Sequence, residues 1–340
     1  MFDVSYADFY RRSVDSPEAF WAEQAQAIDW KKPWNSVLDR SKPPFSAWFS
    51  GGLTNLCHNA VDRHLPERAG QAALVYVSTE TGQEVSYSYA ELHREVQIMA
   101  ASLQSLGVTQ GERVLIYMPM IPEAVFAMLA CVRLGAVHSV VFGGFASVSL
   151  AARIDDAQPK VIVSADAGSR AGKVVPYKPL LDEALRLSQH PPEQVIVVDR
   201  GLADWARQAP RDVSYADLRT RHARAEVPCV WVDSTHPSYI LYTSGTTGKP
   251  KGVQRDTGGY AVALQLSMRV IFGGQPGETF FCTSDIGWVV GHSYIVYAPL
   301  LTGMTTILYE GTPIRPDAAV FWRIVEQYRV NQMFSAPTAM

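Results

Sequence analysis

Apolar and polar positions switch between two periods along this chain. Short runs are apolar throughout: VLIYM at 114–118, VIVS at 161–164 and VIVV at 195–198. They alternate with stretches whose apolar residues recur every three or four positions, as Leu92, Val96, Met99, Leu103 and Leu106 do. The first pattern predicts strands covered on both faces, the second amphipathic helices. Strands are expected at 73–77, 84–87, 113–118, 137–142, 160–165, 194–199, 239–242, 279–283, 305–309 and 332–334. Helices are expected at 53–65, from Ser88 to a stop at Gly107, and at 122–134, 147–156, 178–188, 258–271, 292–301 and 317–328. Ser88 with Glu91 three residues on forms a capping box. Strands alternating with helices of about 10–15 residues predict an α/β fold of mostly parallel sheets flanked by helices.

The first sixty residues follow another pattern. Tyr6, Phe9, Tyr10, Phe20, Trp21, Trp30 and Trp34 crowd the start, and Ser16-Pro17-Glu18 reads as a helix start. Residues 1–60 are therefore expected to form a helical arm whose aromatics pack on a larger body, residues 61–340. The polar, Arg-rich stretch at 200–230 reads as surface structure. The final NQMFSAPTAM is a strand followed by a proline that would open a helix, which reads as a chain continuing past Met340.

Composition narrows the classes. Lys+Arg 30 against Asp+Glu 33 gives a net charge of −3 with no basic tract, which excludes the usual electrostatic footprint for nucleic acid. The apolar run 124–132 is about half of the ~20 residues a membrane span needs. The N-terminus lacks the basic and apolar blocks of a signal peptide, so a cytoplasmic location is expected. Cys57, Cys131, Cys229 and Cys282 form no CxxC pair or metal-ligand spacing, and are read as reduced; no resident metal site is expected.

The chemistry concentrates after the strand at 239–242. There the chain reads YTSGTTGKPKG from Tyr242 to Gly252. Gly245, Gly248 and Gly252 let the backbone approach a ligand with no Cβ in the way. Thr243, Ser244, Thr246 and Thr247 add hydroxyl donors, and Lys249, Lys251 and Arg255 add cations before the first carboxylate, Asp256. Backbone N–H groups in such a turn form an anion-binding concavity. A cation about 4 Å from a phosphate charge gains roughly 1 kcal/mol in water and ~4 near a protein surface. Polyphosphate binding is the chemistry that uses all of this. The loop is not the common P-loop, because Gly248-Lys249 is followed by Pro250 and not Ser or Thr.

This string resembles the signature of the adenylate-forming superfamily, which includes acyl-CoA synthetases, luciferases and peptide-synthetase adenylation domains. The resemblance implies a two-step reaction. ATP and a carboxylate give acyl-AMP and pyrophosphate, and a thiol, usually CoA, then displaces AMP. It implies ATP, Mg²⁺ and CoA as cofactor and co-substrates, and the whole loop from Thr243 through Ser244, Gly245, Thr246, Thr247, Gly248, Lys249, Pro250 and Lys251 to Gly252 as the pyrophosphate grip. Lys249, Lys251 and Thr246 are the expected catalytic residues within it.

Other segments narrow the branch. SYADFYRRSVDSPEAFWAEQAQAIDW and WFSGGLTNLCHNAVDRHL are similar to the N-terminal blocks of the short-chain acyl-CoA synthetases. DAGSRAGK at 166–173 is a basic, glycine-containing turn at the carboxyl end of a strand, where ligands of open α/β sheets gather. By its residues alone it is either a solvated turn or a phosphate holder. The resemblance implies the second, with Arg170, Ala171, Gly172 and Lys173 contacting the nucleotide phosphates of CoA; Lys173 stands where acetate-activating members usually carry Arg. DIGWVVGHS at 285–293 resembles the block that lines the acyl pocket and the CoA tunnel, so Trp288, Val289, Val290 and His292 are expected at the pocket and Val290 also at CoA. His292 is either a carboxylate partner or a polar group at a helix start. ADAGSRAGKVVPYKPLLDEAL, QRDTGGYAVAL and EGTPIRPD look more like propionate-activating than acetate-activating members. The resemblance also implies a C-terminal domain whose lysine is acylated in regulation, and inactivity of residues 1–340 alone.

Overall fold

The computed structural model describes residues 5–243 and 250–337. Two sheets carry the architecture. The larger has seven strands in the spatial order Asp212–Ser214, Gln194–Val198, Val161–Ala165, Arg113–Tyr117, Val137–Val140, Pro237–Thr243, Lys251–Asp256. All its pairs are parallel except the last. The smaller orders Gln332–Phe334, Thr279–Cys282, Thr305–Glu310, Ala72–Ser78 and Glu84–Ser88, again parallel except for the final pair. The expected α/β class with mostly parallel sheets is what the chain adopts.

The helices follow their sequence signals. Ser88 accepts from the Glu91 N–H while the Glu91 carboxylate accepts from the Ser88 N–H at 2.8 Å, so the capping box starts helix Tyr89–Ser105. Gly107 behind it takes φ +84°, which a Cβ would oppose. Helix Pro122–Arg133 (PEAVFAMLACVR) is apolar around most of its circumference, and every residue except Glu123 is buried. Such a helix is stable only inside a core. It sits in the main apolar cluster, which draws on both sheets and on Ala25, Ile28 and Phe49 near the N-terminus. Its one buried cation, Arg133, makes a bidentate pair with Asp62 at 2.8 and 2.9 Å.

Several expectations needed correction. The N-terminal segment is not purely helical: after Tyr6–Asp15 and Pro17–Gln24 comes a hairpin, Ser36–Lys42 with Phe45–Ser50. Its aromatics form a ladder, Trp21–Trp48–Phe49–Trp34–Trp30, with centroids 5.0–6.0 Å apart. The helix expected at 53–65 is broken. Leu53–Thr54 is extended, Asn55 caps the short helix Leu56–Ala60, and a tight turn at Asp62–His64 precedes Leu65–Arg68. Buried Asn55 donates to the carbonyls of Val132 and Val230 at 2.8 Å, so tertiary partners for its amide override the local helical pattern. The stretch expected as surface structure is indeed mostly exposed, and it holds the strand Asp212–Ser214 and the helix Tyr215–Arg221. The helix expected at 292–301 begins at Val289 and winds wider than an α-helix over His292–Tyr297. Such widened turns recur at functional sites.

Candidate active site

Parallel strands present their carboxyl ends together, and the loops leaving them converge on one cavity of about 600 Å³. Pro119 and Met120 follow Arg113–Tyr117, and Phe142, Gly143 and Gly144 follow Val137–Val140. Gly168, Ser169 and Arg170 follow Val161–Ala165; Asp285 and Trp288 follow Thr279–Cys282; Glu310 and Gly311 end Thr305–Glu310. Ligands of open α/β sheets bind in such a crevice. Both sheets contribute, which no local sequence pattern reveals.

One wall is aromatic. Trp288, 46% exposed, lies 5.5 Å from the Phe142 ring and 6.4 Å from Phe145. The backbone behind it is packed too closely for side chains. A Cβ on Gly287 would sit 2.9 Å from Phe142 Cα, and one on Gly291 only 2.0 Å from the Asp285 carbonyl oxygen. Glycine at these positions lets the loop 285–288 fold back on the helix it starts.

His292 stands behind this wall rather than in it, and it does not line the cavity. It is fully buried, stacks on His138 at 5.4 Å, meets Tyr239 at a tilt at 4.8 Å, and its Nδ1–H donates to the Trp288 carbonyl at 3.1 Å. Burial pushes its imidazole down to about 4, so it is neutral at pH 7. Its neutral, shielded ring braces the Trp288 wall through that carbonyl. Val289 is exposed and Val290 packs against the core; neither lines the cavity.

The basic turn is a hairpin. Ala167–Arg170 pairs with Lys173–Pro176, with Arg170 directly opposite Lys173 and Ala171-Gly172 as the turn. The Arg170 guanidinium carbon lies 5.7 Å from the centre of the Phe142 ring, on the cavity side. Gly172 lines a neighbouring pocket with Glu80 and Arg315.

The glycine-rich loop meets this site through its root. Ser244, Gly245, Thr246, Thr247, Gly248 and Lys249 lie outside the described residues. Its flanks form a hairpin, Thr243 pairing Lys251 and Tyr242 pairing Gly252. The expected passage from loop to helix is thus interrupted by an edge strand, Lys251–Asp256, whose first five residues are all exposed. Tyr242 donates to the Asp156 carboxylate at 2.6 Å, and the Arg153 guanidinium lies over both the Tyr242 ring (5.7 Å) and the Phe145 ring (4.2 Å). Phe145 touches Trp288, Trp288 touches Phe142, and Phe142 carries Arg170. A continuous set of contacts thus joins the loop's root, the aromatic wall and the basic turn.

The cavity also holds groups that the sequence reading passed over. Half-buried Asp285 accepts from the Gly287 N–H at 2.7 Å, and burial raises its carboxyl against the opposing pull of Arg170. Buried Glu310 accepts two guanidinium bonds from Arg200 at 2.8 Å, the Tyr76 hydroxyl at 2.6 Å and the Ser78 hydroxyl at 2.8 Å. Asp285 lies in DIGWVVGHS and Glu310 opens EGTPIRPD, but the pairing of Glu310 with Arg200, 110 residues away, leaves no local signal.

Away from the cavity, ligand atoms of Cys57, Asp62 and Cys229 lie within 4.8 Å of one another, a grouping that spacing did not reveal. Arg133 already occupies both oxygens of Asp62 and stands 3.6 Å from Cys57 Sγ. A cation is therefore in place, and the donors are too soft for Mg²⁺. The described residues build no oxygen-rich Mg²⁺ site.

A family model described as AMP-binding enzyme matches residues 61–340, and one described as acetyl-coenzyme A synthetase N-terminus matches residues 6–60. A propionate–CoA ligase of Salmonella typhimurium is 62% identical over 337 residues, covering 99% of this chain and 54% of that protein. A propionate–CoA ligase of Escherichia coli is 61% identical over the same length, with the same coverage. The mitochondrial acyl-CoA synthetase short-chain family member 3 of Bos taurus is 47% identical over 338 residues, covering 98% of this chain and 49% of that protein. The chain spans about half the length of the curated relatives it matches.

Proposed function

This chain belongs to the AMP-binding enzyme family, and from that premise we propose that it forms the acid- and CoA-handling part of a short-chain acid–CoA ligase whose main acid is propionate. The observation that carries the reading is the contact path from Tyr242 through Arg153, Phe145 and Trp288 to Arg170. It links the root of the proposed pyrophosphate loop to the aromatic wall and the basic turn of the crevice, and so supports their serving one site. The ligase relatives, at 62% and 61% identity, support propionate as the acid.

In the first step a carboxylate oxygen attacks the α-phosphorus of ATP, and pyrophosphate leaves with the bonding pair. Lys249, Lys251 and Thr246 are the residues proposed to grip its charge. In the second step the CoA sulfur attacks the acyl carbon, the thiol proton is lost and AMP departs. Arg170 and Lys173 hold the nucleotide phosphates of CoA, Arg170 by a two-pronged donor set that fits phosphate. Mg²⁺ accompanies ATP as part of the substrate, and no step is routed through a protein metal site. Trp288 faces the short acyl chain. One methylene is worth about 1–3 kcal/mol in such a pocket, so acetate should remain a slower substrate. A cytoplasmic location is part of this proposal. Among the described residues no helix is long and apolar enough to cross a membrane.

The test is pyrophosphate release by this chain completed to the length of its relatives, with propionate, acetate and butyrate compared by kcat/KM. A higher value for acetate would overturn the propionate assignment. No release with any short acid would overturn the ligase reading.

A further inference from the structure

Antiparallel pairing places Arg170 directly opposite Lys173 at the mouth of the two-residue turn. Facing like charges destabilise a hairpin. The turn itself is also unfavourable. Ala171 has φ +56° and Gly172 has φ +74°. Asn-Gly or Gly-Gly suits such a turn; alanine has a Cβ that the left-handed region disfavours and no side chain to compensate. Something outside the hairpin must therefore hold it.

Glu80 does so. It leaves the end of strand Ala72–Ser78, in the other sheet. Its carboxylate accepts the Ala171 N–H at 2.8 Å, the Gly172 N–H at 2.7 Å and the Ser169 hydroxyl at 2.8 Å. Those two consecutive N–H groups form an anion nest, and a protein carboxylate fills it. Arg315, from the loop after Thr305–Glu310, donates to the Ala171 carbonyl from the other side. A Cβ on Gly172 would come within 2.7 Å of that guanidinium, so the turn fits between two residues delivered by adjacent strands of the smaller sheet.

Resting on the CoA reading proposed above, we infer that Glu80 is a positioning residue for the phosphate-binding turn. It acts as a built-in anion that fixes the strained Ala171-Gly172 backbone, so that Arg170 and Lys173 are presented together to the phosphates of the nucleotide end of CoA. Since Glu80 takes the backbone N–H groups, the ligand meets the two side chains and not the nest. Were Glu80 instead a competitor that phosphate displaces, removing it would tighten anion binding.

The experiment compares the unaltered chain with Glu80→Ala and Glu80→Gln. Hydrogen–deuterium exchange is read at 167–176, and adenosine 3′,5′-bisphosphate is titrated as the probe. An apparent Kd rises by the inverse of the fraction of molecules with a competent turn, so a turn competent about one tenth of the time raises it roughly tenfold. Glu80→Ala is expected to raise exchange at Ala171 and Gly172 at least about tenfold and to weaken the probe by about that factor. Glu80→Gln, which keeps one acceptor, should fall between, and the melting temperature of each variant should stay near that of the unaltered chain. Unchanged exchange overturns the clamp. Faster exchange with an unchanged or tighter Kd overturns the positioning role. Failure of the unaltered chain to bind the bisphosphate counts against the CoA reading and overturns the functional half of the inference, and exchange then decides the clamp alone.

Discussion

Replacing Arg200 with Met should destabilise the protein by about 3–5 kcal/mol, the range for breaking a buried ion pair from one side. The pair joins the two sheets: Arg200 follows Gln194–Val198 of the larger and Glu310 ends Thr305–Glu310 of the smaller. Their side chains are 10% and 4% exposed, so little water can replace the lost partner. Arg200→Met removes two charge-assisted bonds of 2.8 Å, each worth roughly 1.5–3 kcal/mol. The Tyr76 and Ser78 hydroxyls still donate to Glu310, which keeps the loss at the lower end of that sum. Glu310→Gln leaves Arg200 with the new amide oxygen and the Ala167 carbonyl, both neutral acceptors, and should cost less. The double variant should be more stable than the two single losses predict, with a coupling of about 2–3 kcal/mol, because it leaves no buried charge unpaired. Urea unfolding followed by tryptophan fluorescence and far-UV circular dichroism measures all four species. A loss below about 1 kcal/mol for Arg200→Met, or strictly additive singles, would refute the claim that this pair is an energetic link between the sheets.

Further outcomes follow from other parts of the structure. Burial holds His292 and His64 at about 4, below the ordinary histidine value of 6.5. The unfolded chain therefore binds more protons between those values, and stability should fall as pH drops from about 6.5 to 4, by roughly 3 kcal/mol for fully buried His292; a flat stability–pH curve in that window refutes this. Gly291→Ala would place a methyl 2.0 Å from the Asp285 carbonyl, and should cost more than about 2 kcal/mol and loosen the Trp288 wall, visible as a changed Trp emission. Ser88→Ala should lose about 1 kcal/mol through its cap, read as a shifted urea midpoint with unchanged slope. Arg170→Ala in the completed protein should raise KM for CoA about tenfold or more while leaving the adenylation step, measured by pyrophosphate exchange, near its original rate.

Local chemistry made much of the protein legible. Apolar runs marked the buried parallel strands because both their faces are covered, and Ser88 with Glu91 marked a helix start because that pair satisfies its own backbone donors. YTSGTTGKPKG carried the expectation of a phosphate loop through residue type alone, and most of it lies outside the described residues. Wherever partners are distant in sequence, the pattern misled or was silent. Asn55 broke an expected helix because its amide serves carbonyls 77 and 175 residues away. His292 carried a motif position, yet packing put it behind the cavity, neutral and shielded. The roles of Glu80 and Glu310 carry no local signal, since their partners lie 89 to 234 positions distant in the chain. Sequence by itself marked most of the strands and helices and the family. Tertiary structure alone decided which charges meet, which are buried and which hold the turns in place, because those energies depend on the distance and dielectric that folding creates.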